Sequence, residues 1–508
     1  IQVNCENNML FQCSNNAMIT FNQTSGTITG DCFGTQNPCK FSLDNSSIMS
    51  SGTKQHIYSV FMNNSSLSSR RNKGSSLLQI ESVQSKGNST VRNCFISQVI
   101  AKSGVLTCEE TAITNSVSIN TEAEMNLLSS ELDSYCTTQG NGILRVSSST
   151  LGGMIYTHVL TSGTVSMKNN TYLSHIVSDH TIIQGNNEIS NVTFGEMSMS
   201  DVSFGNLIIH VERAASLSNS INCTDASIHL DTNSKTVFSD SSIICKSGEC
   251  LLFNYGNAQT TGNTVLDGFH TSFRESLAVT GTLAFQSSSG SGSIVLVNNS
   301  QIIMDALKSG GDISVTGPGT LLCVKCQLSG LLSNVNVVLN NSLSVLTVDS
   351  LLKMDKNTTF IYKSGTLDGK DSSSILVING TMNSSFQTST DKSTVSLLGI
   401  DSSGVISWSN SFVSRQSTLT NRNVLNVSFV NDSSSTFPKV INHDTVHLHH
   451  TFTQMVLENH GFVNSTGANS LLNVHQISGV FLLNGTTTLQ KGQFTGGTLQ
   501  GNGTLSFN

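Results

Sequence analysis

The stretch His443-Asp444-Thr445-Val446-His447-Leu448-His449-His450 holds the densest group of imidazoles in the chain. Neutral imidazole is a common metal ligand, and two histidines at positions i and i+2 of a strand can chelate zinc or copper from one side. On an extended backbone His443, Thr445, His447 and His449 share one face, while Val446 and Leu448 point inward. No Cys or Glu stands nearby to complete a set and Asp444 starts on the opposite face, so this is a solvated strand face. Cys323-Val324-Lys325-Cys326 has zinc spacing, but a tetrahedral site needs a second pair, and Cys245 with Cys250 lies far upstream with the wrong gap. Asp368 and Asp371, in the loop Gly365–Ser374, offer calcium only part of the roughly six to eight oxygens it takes. No metal and no cofactor are expected.

Asparagine offers a different chemistry. Eighteen Asn-x-Ser/Thr sequons occur, at Asn22, Asn45, Asn63, Asn64, Asn88, Asn169, Asn191, Asn222, Asn298, Asn340, Asn357, Asn379, Asn383, Asn426, Asn431, Asn464, Asn484 and Asn502. A composition this rich in Asn, Ser and Thr would generate roughly 14 by chance, so the count itself says little. Their placement says more, because many follow an apolar run directly, where a turn presents its side chain to solvent and to a glycan. The competing reading is an internal ladder, in which Asn side chains stack and hydrogen-bond from one layer to the next. Both can hold at different positions.

The elements that position these residues follow from composition and period. Charged residues make up only 11% of the 508, against roughly 25% in a typical soluble domain. Ser, Thr and Asn supply the polarity instead, and 37% apolar residues with 41 Gly suffice for a core. A net charge of -7 with no basic face gives nucleic-acid binding no support. No uncharged apolar run approaches the roughly 18 residues of a membrane span. Numbering from Ile1, without Met or leader, reads as a processed or excerpted ectodomain.

Twelve cysteines, Cys5, Cys13, Cys32, Cys39, Cys94, Cys108, Cys136, Cys223, Cys245, Cys250, Cys323 and Cys326, form an even set. In so weakly charged a chain they predict disulfides made in an oxidising compartment. Pairing does not follow from sequence, although Cys223 and Cys245 are separated by about one repeat.

That repeat is visible in Ser293-Ile294-Val295-Leu296-Val297-Asn298-Asn299-Ser300 and Ser374-Ile375-Leu376-Val377-Ile378-Asn379-Gly380-Thr381, echoed at Val337–Ser342 and Phe481–Thr486. The asparagines recur loosely at roughly 20 residues, the mark of a solenoid. Within each repeat, beats such as Gly281-Thr282-Leu283-Ala284-Phe285 alternate apolar with small polar residues and close on Gly or Asn, which reads as short strands. Three strands and three turns fit one coil of a parallel β-helix, with Gly and Asn taking the bends because they tolerate positive φ. Only three prolines occur, consistent with strands paired on both sides.

Gly496–Leu505 and the paired runs above resemble coils of parallel β-helix, pectin-lyase-like surface proteins of the secreted adhesin type, most clearly over residues 270–508. The resemblance implies a right-handed parallel β-helix of about 20 residues per coil. About 25 coils at the 4.7–4.9 Å strand spacing would make a rod on the order of 120 Å. Three regions are expected. Residues 1–50, with four Cys and Phe11, Phe21, Phe33 and Phe41, form a disulfide-stapled cap; 51–270 form irregular coils; 271–508 form regular ones.

The architecture also hosts glycosidases and lyases. The glycosidase pattern of Asn-x-Asp, an Asp-Asp pair and Gly-His-Gly is not met, and the Asp179-His180 pair lacks a partner, so no enzyme is expected. Trp408, the single Trp, is the residue to test for carbohydrate stacking, although a partly buried strand position explains it as well. The expected function is an extracellular structural glycoprotein whose uncapped terminal coil docks head to tail into a filament or coat, alone or with other structural proteins. The alternative is an adhesive stalk within a larger surface protein.

Overall fold

A computed structural model describes residues 2–5, 18–30, 40–50, 56–69, 78–185, 189–231, 234–370, 374–385, 393–395, 399–402, 405–409, 412–414, 418–428, 439–449 and 452–507. They form an all-β parallel solenoid of about 21 turns with about 19 residues per turn and no helix. Coil length varies along the stack. Phe360 pairs with Val337, 23 residues earlier, and Met382 with Phe360, 22 residues earlier. Further on the spacing settles to 17 between Val446 and Val463 and 18 between Val463 and Phe481. Among the described residues no helix is long and apolar enough to cross a membrane.

The chain divides into two compact units, residues 1–237 with 243–256 and residues 238–242 with 257–508. Strand alternation builds the core of each. In Thr445–His449, Val446 and Leu448 are buried while Thr445, His447 and His449 face outward. Parallel register then sets like on like from coil to coil. In the first unit Leu106, Met125, Leu144, Val159, Ile176 and Met197 form one buried column. In the second unit Val337, Phe360, Met382, Ile406, Leu425, Val446, Val463 and Phe481 stand in unbroken register. Each fully buried aliphatic or aromatic side chain contributes roughly 1.5–3 kcal/mol, so the columns are the main stabilising element.

Between strands the chain turns through left-handed residues, among them Asn45 (φ 46°), Asn64 (φ 46°) and Gly87 (φ 70°). The residue after such a corner often points back into the coil as a hydroxyl. Ser130 Oγ accepts from Thr111 N at 3.0 Å and donates to Leu128 O at 2.9 Å; Ser149 Oγ accepts from Ser130 N at 3.0 Å in turn. These bonds satisfy backbone groups that the bend removes from the ladder.

The cysteines depart from expectation. Disulfides join Cys245 to Cys250 and Cys323 to Cys326, so Cys245 does not pair with Cys223. Cys94, Cys108, Cys136 and Cys223 are free thiols that fill inward core positions and are buried. Burial pushes Cys108 and Cys223 up to about 12 and Cys136 to about 11, and raises Cys94 further, so all four stay protonated and unreactive at neutral pH. Cys13, Cys32 and Cys39 lie outside the described residues, and Cys5 is described only as part of the strand Gln2–Cys5.

Candidate functional site

Asparagines sort into two populations. Sixteen sequon asparagines have described side chains, and none is buried. Asn22, Asn45, Asn64, Asn88, Asn169, Asn191, Asn298, Asn340, Asn357, Asn379, Asn484 and Asn502 are exposed, and Asn63, Asn222, Asn426 and Asn464 are half-buried. The side chain of Asn383 and all of Asn431 lie outside the described residues. Among the described residues the buried asparagines are Asn254, Asn421, Asn442, Asn459 and Asn469, and no sequon contains any of them.

Three of the buried set make the internal ladder. Asn421 Nδ2 donates to Asn442 Oδ1 at 2.8 Å, Asn442 Nδ2 to Asn459 Oδ1 at 2.7 Å, and Asn459 Nδ2 to Gln476 Oε1 at 2.8 Å. Each amide also closes its own bend: Asn442 Nδ2 reaches Asp444 O at 3.1 Å, and Asp444 N returns a bond to Asn442 Oδ1 at 3.3 Å. Asn442-His443-Asp444 is in fact an Asn-x-Asp string, the first part of the glycosidase pattern. Here Asn442 is fully buried, so its amide belongs to the ladder and not to a surface carboxylate group.

The histidine stretch is a solvated face, as its alternation predicts. His443 sits in the corner instead of the strand and stacks on His460, centroids 5.1 Å apart. His447 meets the sequon Asn464 at 3.4 Å and His449 meets Thr466 at 3.0 Å. Hydrogen bonds from Lys439 and His460 hold the Glu458 carboxyl below its usual range. His450 and Asp371 lie outside the described residues; Asp368 Oδ1 accepts from Gly369 N at 2.9 Å. Asp179, His180 and Trp408 lie on strands, Trp408 in register with Val427, but their side chains are not described. Among the described residues no three His, Cys, Asp or Glu converge as a metal site.

One cluster was not anticipated. On the first unit the strands Met154–Met167 and Thr171–Gly185 bring Tyr156 and Tyr172 to 5.7 Å and stack His158 on His175 at 4.3 Å. Alternation along the strand leaves Tyr156 outward, 52% exposed, and a register slip between Ile155 and His158 sets His158 opposite His175. On the next coil Glu196 accepts from His175 at 3.1 Å and lies 3.7 Å from Arg213, whose Nη2 donates to Ser174 O at 2.9 Å. Gly195 makes room for that guanidinium, since a Cβ there would stand 2.7 Å from Arg213 Nη2. Burial, then its neighbour His175, lowers the His158 pKa. The two imidazoles are stacked near-parallel, so their lone pairs do not converge on one ion. An aromatic platform beside fixed charged groups is suited to binding. The signal was legible as Tyr156-Thr157-His158-Val159 followed by Tyr172-Leu173-Ser174-His175-Ile176 one coil later.

Comparison with family models, curated proteins and solved structures finds no match to this chain.

Proposed function

We propose that the chain is a non-enzymatic structural module of a secreted or cell-surface glycoprotein, carrying N-glycans along its coil corners. It assembles end to end, or with other extracellular structural proteins, into a filament or coat. The supporting observation is the segregation of asparagine: sequons occupy surface positions, while the amides inside the coils belong to no sequon. The likeness of Gly496–Leu505 to coils of secreted surface proteins supports the same placement. Secretion from a eukaryotic host followed by glycan-specific amidase digestion is expected to lower the mass by several glycan units. An unchanged mass overturns the glycoprotein reading, and particles that stay single by electron microscopy as concentration rises overturn the assembly.

The Tyr156 and Tyr172 cluster favours a second reading, an adhesive or ligand-binding stalk of a larger surface protein. Exposed aromatic anchors dominate binding energy. Against a printed panel of glycans and matrix proteins, Tyr156→Ala is expected to weaken a bound probe by about ten-fold or more, roughly 1.4 kcal/mol, with thermal unfolding unchanged. A panel with no binder, or binding indifferent to this substitution, removes that reading.

A further inference from the structure

The sequon asparagines are not equivalent, and the difference lies in which end of the amide the fold uses. Asn64 Oδ1 accepts from Asn88 N at 3.0 Å, Asn88 Oδ1 from Val105 N at 3.1 Å, and Asn169 Oδ1 from Asn191 N at 3.0 Å. Each amide oxygen thus holds a backbone N–H of the following coil. Among the described residues the Nδ2 atoms of these three asparagines make no hydrogen bond. Gly87 is shaped to this contact, since a Cβ there would stand 2.3 Å from Asn64 Oδ1.

Aspartate performs the same task elsewhere. Asp201 Oδ1 accepts from Ser220 N at 3.2 Å, Asp225 Oδ1 from Glu249 N at 3.4 Å, and Asp240 Oδ1 from Asn263 N at 3.0 Å, all from left-handed corners. Asp has no side-chain nitrogen, so the bridge needs only the oxygen. At Asn64, Asn88 and Asn169 the nitrogen is surplus to the fold and faces solvent.

At other sequons the nitrogen is engaged. Asn45 and Asn63 donate to Asp44 Oδ1 at 3.2 and 2.7 Å, and Asn222 donates to Ser220 Oγ at 3.3 Å. Asn484 donates to Asn464 Oδ1 at 3.1 Å, and Asn464 Nδ2 lies 3.4 Å from His447 Nδ1. A sugar on these nitrogens would crowd an amide already held against a neighbouring side chain.

Resting on the glycoprotein reading, we infer that Asn64, Asn88 and Asn169 are bifunctional, with the amide oxygen clamping the next coil and the amide nitrogen carrying the glycan. Asn45, Asn63, Asn222, Asn464 and Asn484 are left bare.

Site mapping tests this. Protein secreted from eukaryotic cells is digested with the amidase in heavy-oxygen water and mapped by peptide mass spectrometry. Majority occupancy at Asn64, Asn88 and Asn169, with at most trace label at the bare set, is the expected result. Comparable occupancy in both sets overturns the inference alone, whereas no label at any sequon overturns the glycoprotein reading with it. A second arm examines the clamp. Asn64→Asp should leave the melting temperature of protein made in cells that attach no N-glycans within about 1 °C of the parent made the same way, because the acceptor survives. Asn64→Ala should lower it by several degrees. Equal melting of the two variants overturns the clamp.

Discussion

Asn442→Ala is expected to destabilise the second unit by about 3–6 kcal/mol, because removing one buried amide orphans several partners at roughly 1–3 kcal/mol each. Asn421 Nδ2 loses one of its acceptors, and Asn459 Oδ1, Asp444 O and Phe462 O lose a donor at 2.7, 3.1 and 3.2 Å. All of these groups serve the bends of three consecutive coils, so the damage spreads along the stack. Asn442→Asp should be worse at neutral pH, since its carboxylate would face carbonyl oxygens where a donor is needed. Burial and those oxygens would raise its folded pKa above the unfolded value of about 3.9. The variant therefore binds more protons folded than unfolded, and its stability falls as pH rises from about 4 through the folded pKa. Urea unfolding at pH 7 and pH 4, followed by hydrogen exchange at residues 418–476, checks both statements. Exchange rates there equal to the parent's would show that the amide column is not structural.

Phe360→Ala is the second large effect, about 3–5 kcal/mol from lost transfer energy and the cavity left behind. Phe360 is fully buried, in register with Val337 on one side and Met382 on the other, and it stacks on Tyr362 at 5.8 Å. Coils contact only their neighbours, so the loss should appear first as local opening around residues 337–382 and only later as global unfolding. Hydrogen exchange resolves the two. A uniform rise in exchange over residues 257–507 would contradict this nearest-neighbour picture. Lys353→Ala, on an exposed position of the same unit, should remain within about 0.5 kcal/mol of the parent.

The parallel coil was legible because its causes are local: strand-length apolar beats, Gly and Asn at the bends, few prolines. The inward column around Val446 and Leu448 follows from alternation alone. Coil length was less legible, since the excursions between strands vary from one coil to the next and carry no fixed residue type. The thiols were misread because a small apolar side chain and half of a disulfide look alike in sequence; burial of Cys94 and Cys223 in the core separates them. The internal amide ladder was foreseen, but not which asparagines form it. A pattern was present in Asn421-Arg422-Asn423, Asn442-His443-Asp444 and Asn459-His460-Gly461, an inward Asn two residues before a bend residue that returns a bond to it. The two Tyr and His strings of the Tyr156 cluster were legible, but the register slip that sets His158 opposite His175 has no composition of its own.

The amide column also implies a grammar of length. Asn421, Asn442 and Asn459 all donate in the same sense, toward the later coil, and the column ends on Gln476 Oε1, so each asparagine rung is interchangeable with the next but cannot be inverted. Excision of residues 443–459 would join Asn442 directly to His460-Gly461, placing its amide where Asn459 stood and facing it with Gln476. Hydrophobic neighbours would re-register together, Val440 taking the place of Leu457 against Val474. Between Asn421 and Gln476 the loss of one whole rung is therefore expected to leave a complete, shorter column. A deletion out of phase with the rungs would strand an amide in the core of these coils.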